Sequence, residues 1–158
     1  MTQASPPSSI LRTWRTCRRI PGGRQLFHLL LRRKVPYTGT IHPRVEEVAP
    51  GYAKVRMADR YAVRNHLRSI HAIALANLGE LASGLAMMAA LPDGARGIPI
   101  EIRLEFLKKA RGTIAAVGSC RPPAAGIAHD HPVEAILTDE SGDKVARLSA
   151  RWRVGPAS

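Results

Sequence analysis

Acidic residues are missing from the first 45 positions, which hold nine Arg and Lys. The imbalance persists along the chain: 24 basic side chains face 12 acidic ones, giving a formal charge of +12 and a sequence pI near 11.0. Charge of this sign implies anionic partners, whether nucleic acid, a membrane surface or phosphorylated small molecules, and is silent about fold. Aromatics are scarce at 4%. That argues against a reader of single-stranded nucleic acid, which needs stacking platforms, and no recognition helix is evident either. Nucleic acid is therefore not an expected partner. There are two cysteines, Cys17 and Cys120. They form no disulfide framework, so a reducing, cytoplasmic location is expected. No CxxC or Cys/His cluster has zinc spacing, and no metal is expected. No secretory signal is visible, although the Arg- and Ser-rich start overlaps in character with a mitochondrial transit peptide. No uninterrupted apolar run has membrane-spanning length, because the longest candidate contains His71, Asn77 and Glu80.

What remains is a chain of 158 residues, 45% hydrophobic and 23% charged, enough for one domain with a real core. Residues 1–9 (MTQASPPSS) are expected to be a disordered leader. Residues 10–34 are a basic segment of two short helices broken at Pro21-Gly22-Gly23. Trp14, Leu26, Phe27, Leu30 and Leu31 can dock on a core with the arginines outward; a solvated surface helix and a surface for a membrane or acidic partner are the alternatives. Residues 35–158 form the main domain. Extended structure is expected from Pro36, with a strand over Thr38–Val48, a turn at Pro50-Gly51 and a strand over Tyr52–Ala58, where Ala53, Val55 and Met57 share a face.

The long apolar stretch Arg64–Leu91 predicts a helix, stopped by Pro92-Asp93-Gly94. Strands follow over Ile98–Leu107, Thr113–Cys120, Pro132–Thr138 and Lys144–Val154, with residues 121–130 as a loop. In the last strand Ala146, Leu148, Ala150 and Trp152 face inward. The sum is α+β: an antiparallel sheet of about six strands and one long helix. That helix is apolar nearly all round, so both its sides need cover, which a strongly curved sheet and a second subunit provide.

Glu80 is the one formal charge between Ile70 and Leu91. A lone carboxylate in an apolar helix must be neutralised, paired or used. Asn77, Glu80 and Ser83 recur every three residues along one stripe. His71 and Glu80 are nine apart, about 900° of rotation and roughly 13 Å along the axis. One helix cannot bring both to the same atom; two antiparallel copies across a dimer can. The helix N-terminus offers free N–H groups with partial positive charge, able to hold an oxyanion. Each residue also has a structural reading: a paired buried acid for Glu80, a cap for His71, a turn former for Asn65, close packing for Ser83 and a solvated turn for Lys108, Lys109 and Arg111. Small residues at Ala82, Gly84 and Ala86, with Met87 and Met88, predict a pliable apolar pocket, or simply core.

Asn65, then His71 and an acid nine residues on, resembles the hotdog-fold acyl-CoA thioesterases, above all the phenylacetate-pathway and hydroxybenzoyl-CoA subgroup. Their pattern is an Asn, then His-Gly-Gly, then Asp or Glu nine residues after the His. LEFLKKARGTIAAVG (residues 104–118) resembles the family strand that ends in a basic turn, and the resemblance covers residues 36–154. The N-terminal helices and VPYTGTI (35–41) are similar to a less characterised branch. The resemblance implies a sheet wrapped around the helix and a dimer or dimer of dimers. It implies hydrolysis of acyl-CoA or acyl-carrier thioesters at a subunit interface, with coenzyme A entering only as part of the substrate. Glu80 would be nucleophile or general base, the N–H groups of Ala72 and Ile73 oxyanion donors, Asn65 an orienting group and His71 a support. Asn77, Ser83, Gly84, Lys108, Lys109 and Arg111 would contact substrate. The Gly-Gly pair is Ala72-Ile73 here, and Arg68 stands where Gly is common. Any residue except Pro keeps its N–H, so the oxyanion hole is compatible with this change. The same resemblance admits a hydratase/dehydratase or a non-catalytic thioester binder.

Overall fold

The computed structural model describes residues 8–157. Seven residues of the expected leader lie outside them. The chain runs α1 (Ser9–Arg18), α2 (Gly23–Lys34), α3 (Pro36–Gly39), β1 (Arg44–Ala49), β2 (Tyr52–Met57), α4 (Ala72–Ala90), β3 (Ala95–Phe106), β4 (Ile114–Ser119), β5 (His129–Thr138) and β6 (Lys144–Pro156), with a 3-10 turn at Tyr61–Val63. The strands form one antiparallel sheet in the order β1-β2-β4-β5-β6-β3. It wraps α4 in the hotdog arrangement.

Period-two alternation placed the inward faces of β2 and β6 correctly, whereas the apolar positions Ile100, Ile102 and Phe106 of β3 are exposed. Ala53, Val55 and Met57 are fully buried, as are Ala146 and Leu148, with Ala150 and Trp152 nearly so. The helix α4 is apolar and long enough to cross a membrane by length and composition, yet most of it is enclosed by the sheet. The seat of helix on sheet is a row of small residues. Ala53, Gly118 and Ala135 are register partners across β2, β4 and β5, and Ala82 of α4 lies over Gly118. A Cβ on Gly118 would collide with the backbone carbonyl of Ala82. Gly118→Ala should therefore cost about 1–3 kcal/mol, read as a lowered midpoint in chemical denaturation.

Two expected elements differ. Pro36 opens a helical turn rather than a strand, since proline suits the first position of a helix, and β1 starts only at Arg44. The long helix starts at Ala72, eight residues later than expected. Asn65 prevents an earlier start: its Oδ1 accepts the Leu67 N–H (2.9 Å), the Ser69 N–H (3.2 Å) and the Ser69 hydroxyl (3.1 Å). These bonds hold a compact loop in which Arg68 takes a left-handed φ of 54°. That conformation is the physical reason glycine suits position 68.

The basic N-terminal segment is part of the core. Leu11, Trp14 and Cys17 lie on one face of α1 and are buried, as is Phe27 of α2. Trp14 and Phe27 meet edge to face with ring centroids 4.9 Å apart. Leu26 and Leu30 stay exposed, against the docking expectation, while Leu31 packs at the edge of the core. The Val45 N–H donates to His28 Nε2 (3.0 Å), which ties α2 to β1 and requires a neutral imidazole at that nitrogen. Burial and the nearby Arg32, Arg44 and Arg24 lower the His28 pKa accordingly, against the opposing pull of the Val45 carbonyl.

Candidate active site

The first half of the expected site is the N-terminus of α4. Its position is set by the loop before it. Ile70 N–H donates to the Ala110 carbonyl (2.9 Å), and Asp59 accepts from Arg64 Nε (2.6 Å) and from the Gly112 N–H (3.0 Å). The turn after β3 is thereby fixed beside the helix end. Between them lies a cavity of about 410 Å³ lined by Asn65, Ser69, Ala72, Lys108 and Lys109 among others. His71 is the N-cap of α4, and its Nδ1 accepts the Ile73 N–H at 3.1 Å. Of the two expected oxyanion donors, Ile73 is therefore engaged within its own chain. The Ala72 N–H has no acceptor among the described residues.

The second half is Glu80, and it faces a different space. A cavity of about 640 Å³ lies between α4 and the N-terminal helices, with Glu80, Gly84, Met88, Phe27, Leu31 and Trp152 in its walls. Among the described residues no cation and no hydrogen-bond donor meets the Glu80 carboxylate. Burial alone pushes its pKa above the ordinary carboxylate range. No residue lines both cavities. The described residues thus hold an unpaired acid at one place and, at another, a helix N-terminus whose Ala72 N–H is free while its Ile73 N–H is taken by His71.

The remaining expected residues divide sharply. Gly84 lines the Glu80 cavity. Asn77 does not: it is buried and its Nδ2 donates to the Tyr37 carbonyl (3.4 Å), tying α3 to α4. Ser83 is buried and donates to the Glu80 carbonyl (3.0 Å) inside the helix. Ala82, Ala86 and Met87 pack as core, so of the expected pliable pocket only Gly84 and Met88 reach the cavity. Lys108 lines the smaller cavity while its ammonium bridges Asp139 and Asp143, which raise its pKa. Lys109 lines the same cavity, and the exposed Arg111 lines neither. Cys120 is no nucleophile: burial pushes its thiol up to about 11. Among the described residues no group of three or more His, Cys, Asp or Glu could hold a metal ion.

Residues 23–154 match the family described as a domain of unknown function, DUF4442. The chain belongs to that family. No curated protein matches it. Among solved structures, a structural-genomics protein is 30% identical with a TM-score of 0.81, over 94% of this chain and 99% of its own. A probable thioesterase of unknown function from Pseudomonas aeruginosa is 26% identical with a TM-score of 0.73, over 87% and 97%. A hypothetical thioesterase from Streptococcus pneumoniae, solved with coenzyme A, shares the fold at 17% identity and a TM-score of 0.66, over 80% and 99%.

In this DUF4442 chain the N-terminal helices contribute wall residues that pattern reading missed, Phe27 and Leu31 beside Glu80 above all. The available signal was the apolar face of α1 and α2, which marks a docking helix without saying where it docks. Trp152 was assigned to the core by alternation; it is buried, and it also borders the cavity.

Proposed function

We propose that this chain hydrolyses acyl-coenzyme A thioesters at a site shared by two copies, in the manner of the phenylacetate and hydroxybenzoyl-CoA subgroup. The observation that carries the reading is Glu80, a carboxylate without a partner among the described residues, in the wall of an apolar cavity large enough for an acyl group. Its carboxylate attacks the thioester carbonyl, or takes a proton from a water that does. The N-terminus of α4 from the second copy, through the Ala72 N–H, holds the oxyanion. The tetrahedral intermediate collapses with cleavage of the C–S bond, and the thiolate leaves and is protonated. Water completes the carboxylic acid product.

Support for a second copy comes from β3. It is a twelve-residue edge strand whose Ile98, Ile100, Ile102 and Phe106 are exposed in the single chain. Long apolar edges of this kind pair with another chain. The likeness to proteins named as thioesterases, one of them with coenzyme A, supports the thioester class. A second reading, a binder without hydrolysis, draws on one fact: the Ile73 N–H is already occupied by His71. Thiol release from a panel of short, long and aromatic acyl-CoAs separates the two. Turnover of at least one class is expected; binding without turnover across the panel leaves the binder.

A further inference from the structure

Only one face of α2 is used inside the chain. Gly23 and Phe27 are buried, and His28 ties the helix to β1. Leu26, Leu29 and Leu30 are 42%, 50% and 41% exposed. At about 3.6 residues per turn, these three and Arg33 share one arc of roughly 100°. Leucines gathered in one stripe, unlike scattered ones, mark a surface that something covers. The setting is basic throughout. No Asp or Glu occurs in the first 45 residues. Arg12, Arg15 and Arg18 of α1 and Arg24, Arg33 and Lys34 of α2 are exposed, and none of them meets a carboxylate among the described residues. An apolar stripe set among unpaired cations fits a surface that is negative outside and apolar beneath.

We propose that the Leu26–Leu29–Leu30 face of α2 docks the protein on an anionic membrane surface. This goes beyond the hydrolase reading and does not rest on it. The leucines enter the boundary between headgroups and acyl chains, while the basic side chains of α1 and α2 meet lipid phosphates and carboxylates. Two other occupants fit less well. A second copy seated symmetrically on this face would set arginine against arginine. The apolar edge suited to a second copy is β3, at the opposite end of the sheet from β1, where α2 is tied. An acidic protein would need a charge-poor, aromatic-rich contact centre. Here the stripe has no aromatic side chain, and Arg33 sits among the leucines. On a membrane that arginine lays its stem beside them and lifts its charge to the phosphates. Leu30, Arg33, Lys34 and Val35 are exposed and also line the larger cavity, so a surface seated on α2 lies at the rim of that cavity.

The test is co-sedimentation of the full-length protein with vesicles of phosphatidylcholine alone or with about 30% phosphatidylserine. Binding is expected to the mixed vesicles, to weaken with salt, and to be slight on the neutral ones. A chain of net charge +12 can also stick to anionic lipid by charge alone, so the decisive arms are the variants. Leu26→Gln with Leu29→Gln leaves the charge and the helix propensity nearly unchanged and should weaken binding about tenfold. Arg33→Gln with Lys34→Gln should weaken it about tenfold, whereas Lys144→Gln with Arg147→Gln on β6, an equal loss of charge, should change it less than about twofold. A reporter locates the contact independently of these losses: Leu29→Trp should shift its fluorescence to the blue on the mixed vesicles, and Ile127→Trp, in the exposed loop before β5, should not. Equal effects of the two charge pairs, an unchanged leucine variant, or no shift at position 29 overturn the proposal. So does a wild type that ignores vesicles and instead binds an acidic acyl carrier protein, or a leucine variant whose only change is a smaller oligomer.

Discussion

Glu80→Gln is expected to lower kcat/KM for thioester hydrolysis by about 10²–10⁴, with substrate affinity little changed. The amide keeps the shape of the side chain in the cavity wall and removes its ability to attack or to accept a proton. The wild-type rate should rise with pH, because the working form is the ionised carboxylate. Burial raises the Glu80 pKa, so the rise should centre above the ordinary carboxylate range. Stability should run the other way. The folded state holds the Glu80 proton more tightly than the unfolded state does. The Glu80 contribution to stability is therefore highest below the unfolded pKa and falls as pH climbs from there through the raised folded pKa, so it reads as the difference between the wild type and Glu80→Gln. Glu80→Gln removes that slope. Steady-state rates and urea midpoints across pH check both halves. A variant that hydrolyses at the wild-type rate ends the role assigned to Glu80.

Much of this frame was legible in the sequence, because period-two and near-uniform apolar patterns have few structural solutions. Strand β6 illustrates it: alternation alone put Ala146, Leu148, Ala150 and Trp152 inside. The loop before α4 was not legible, since one side chain decides it. Asn65 gathers three donors and holds Arg68 left-handed, and nothing in apolar periodicity reports such a local competition. The stripe through Asn77, Glu80 and Ser83 misled for a related reason. Three-residue spacing drifts around a helix, so Asn77 and Ser83 turn into the fold while Glu80 borders the cavity. The N-terminal helices show the limit of composition. Their charge suggested a solvated surface, and the charge is outside, but Trp14 and Phe27 are buried, and Phe27 and Leu31 wall the candidate site.

Ala72→Pro should abolish hydrolysis almost as fully, by about 10²–10³, without unfolding the protein. Ala72 is the first residue of α4, where proline fits and where the missing N–H breaks no helical hydrogen bond. His71, just before it, has φ −64° and ψ 140°, a conformation proline favours in its predecessor. The substitution thus deletes one backbone donor and little else. Its greater use is in combination. If each site takes Glu80 from one copy and the helix N-terminus from the other, a mixed dimer of Ala72→Pro and Glu80→Gln chains holds one site with both changes and one with neither. Two inactive preparations, unfolded together and refolded, should then recover about a quarter of wild-type activity, since about half the dimers are mixed and each has one of two sites intact. A site contained within one chain gives no recovery at all, because every chain in the mixture lacks one half. The cavities of the single chain share no residue, so complementation is the outcome the geometry favours.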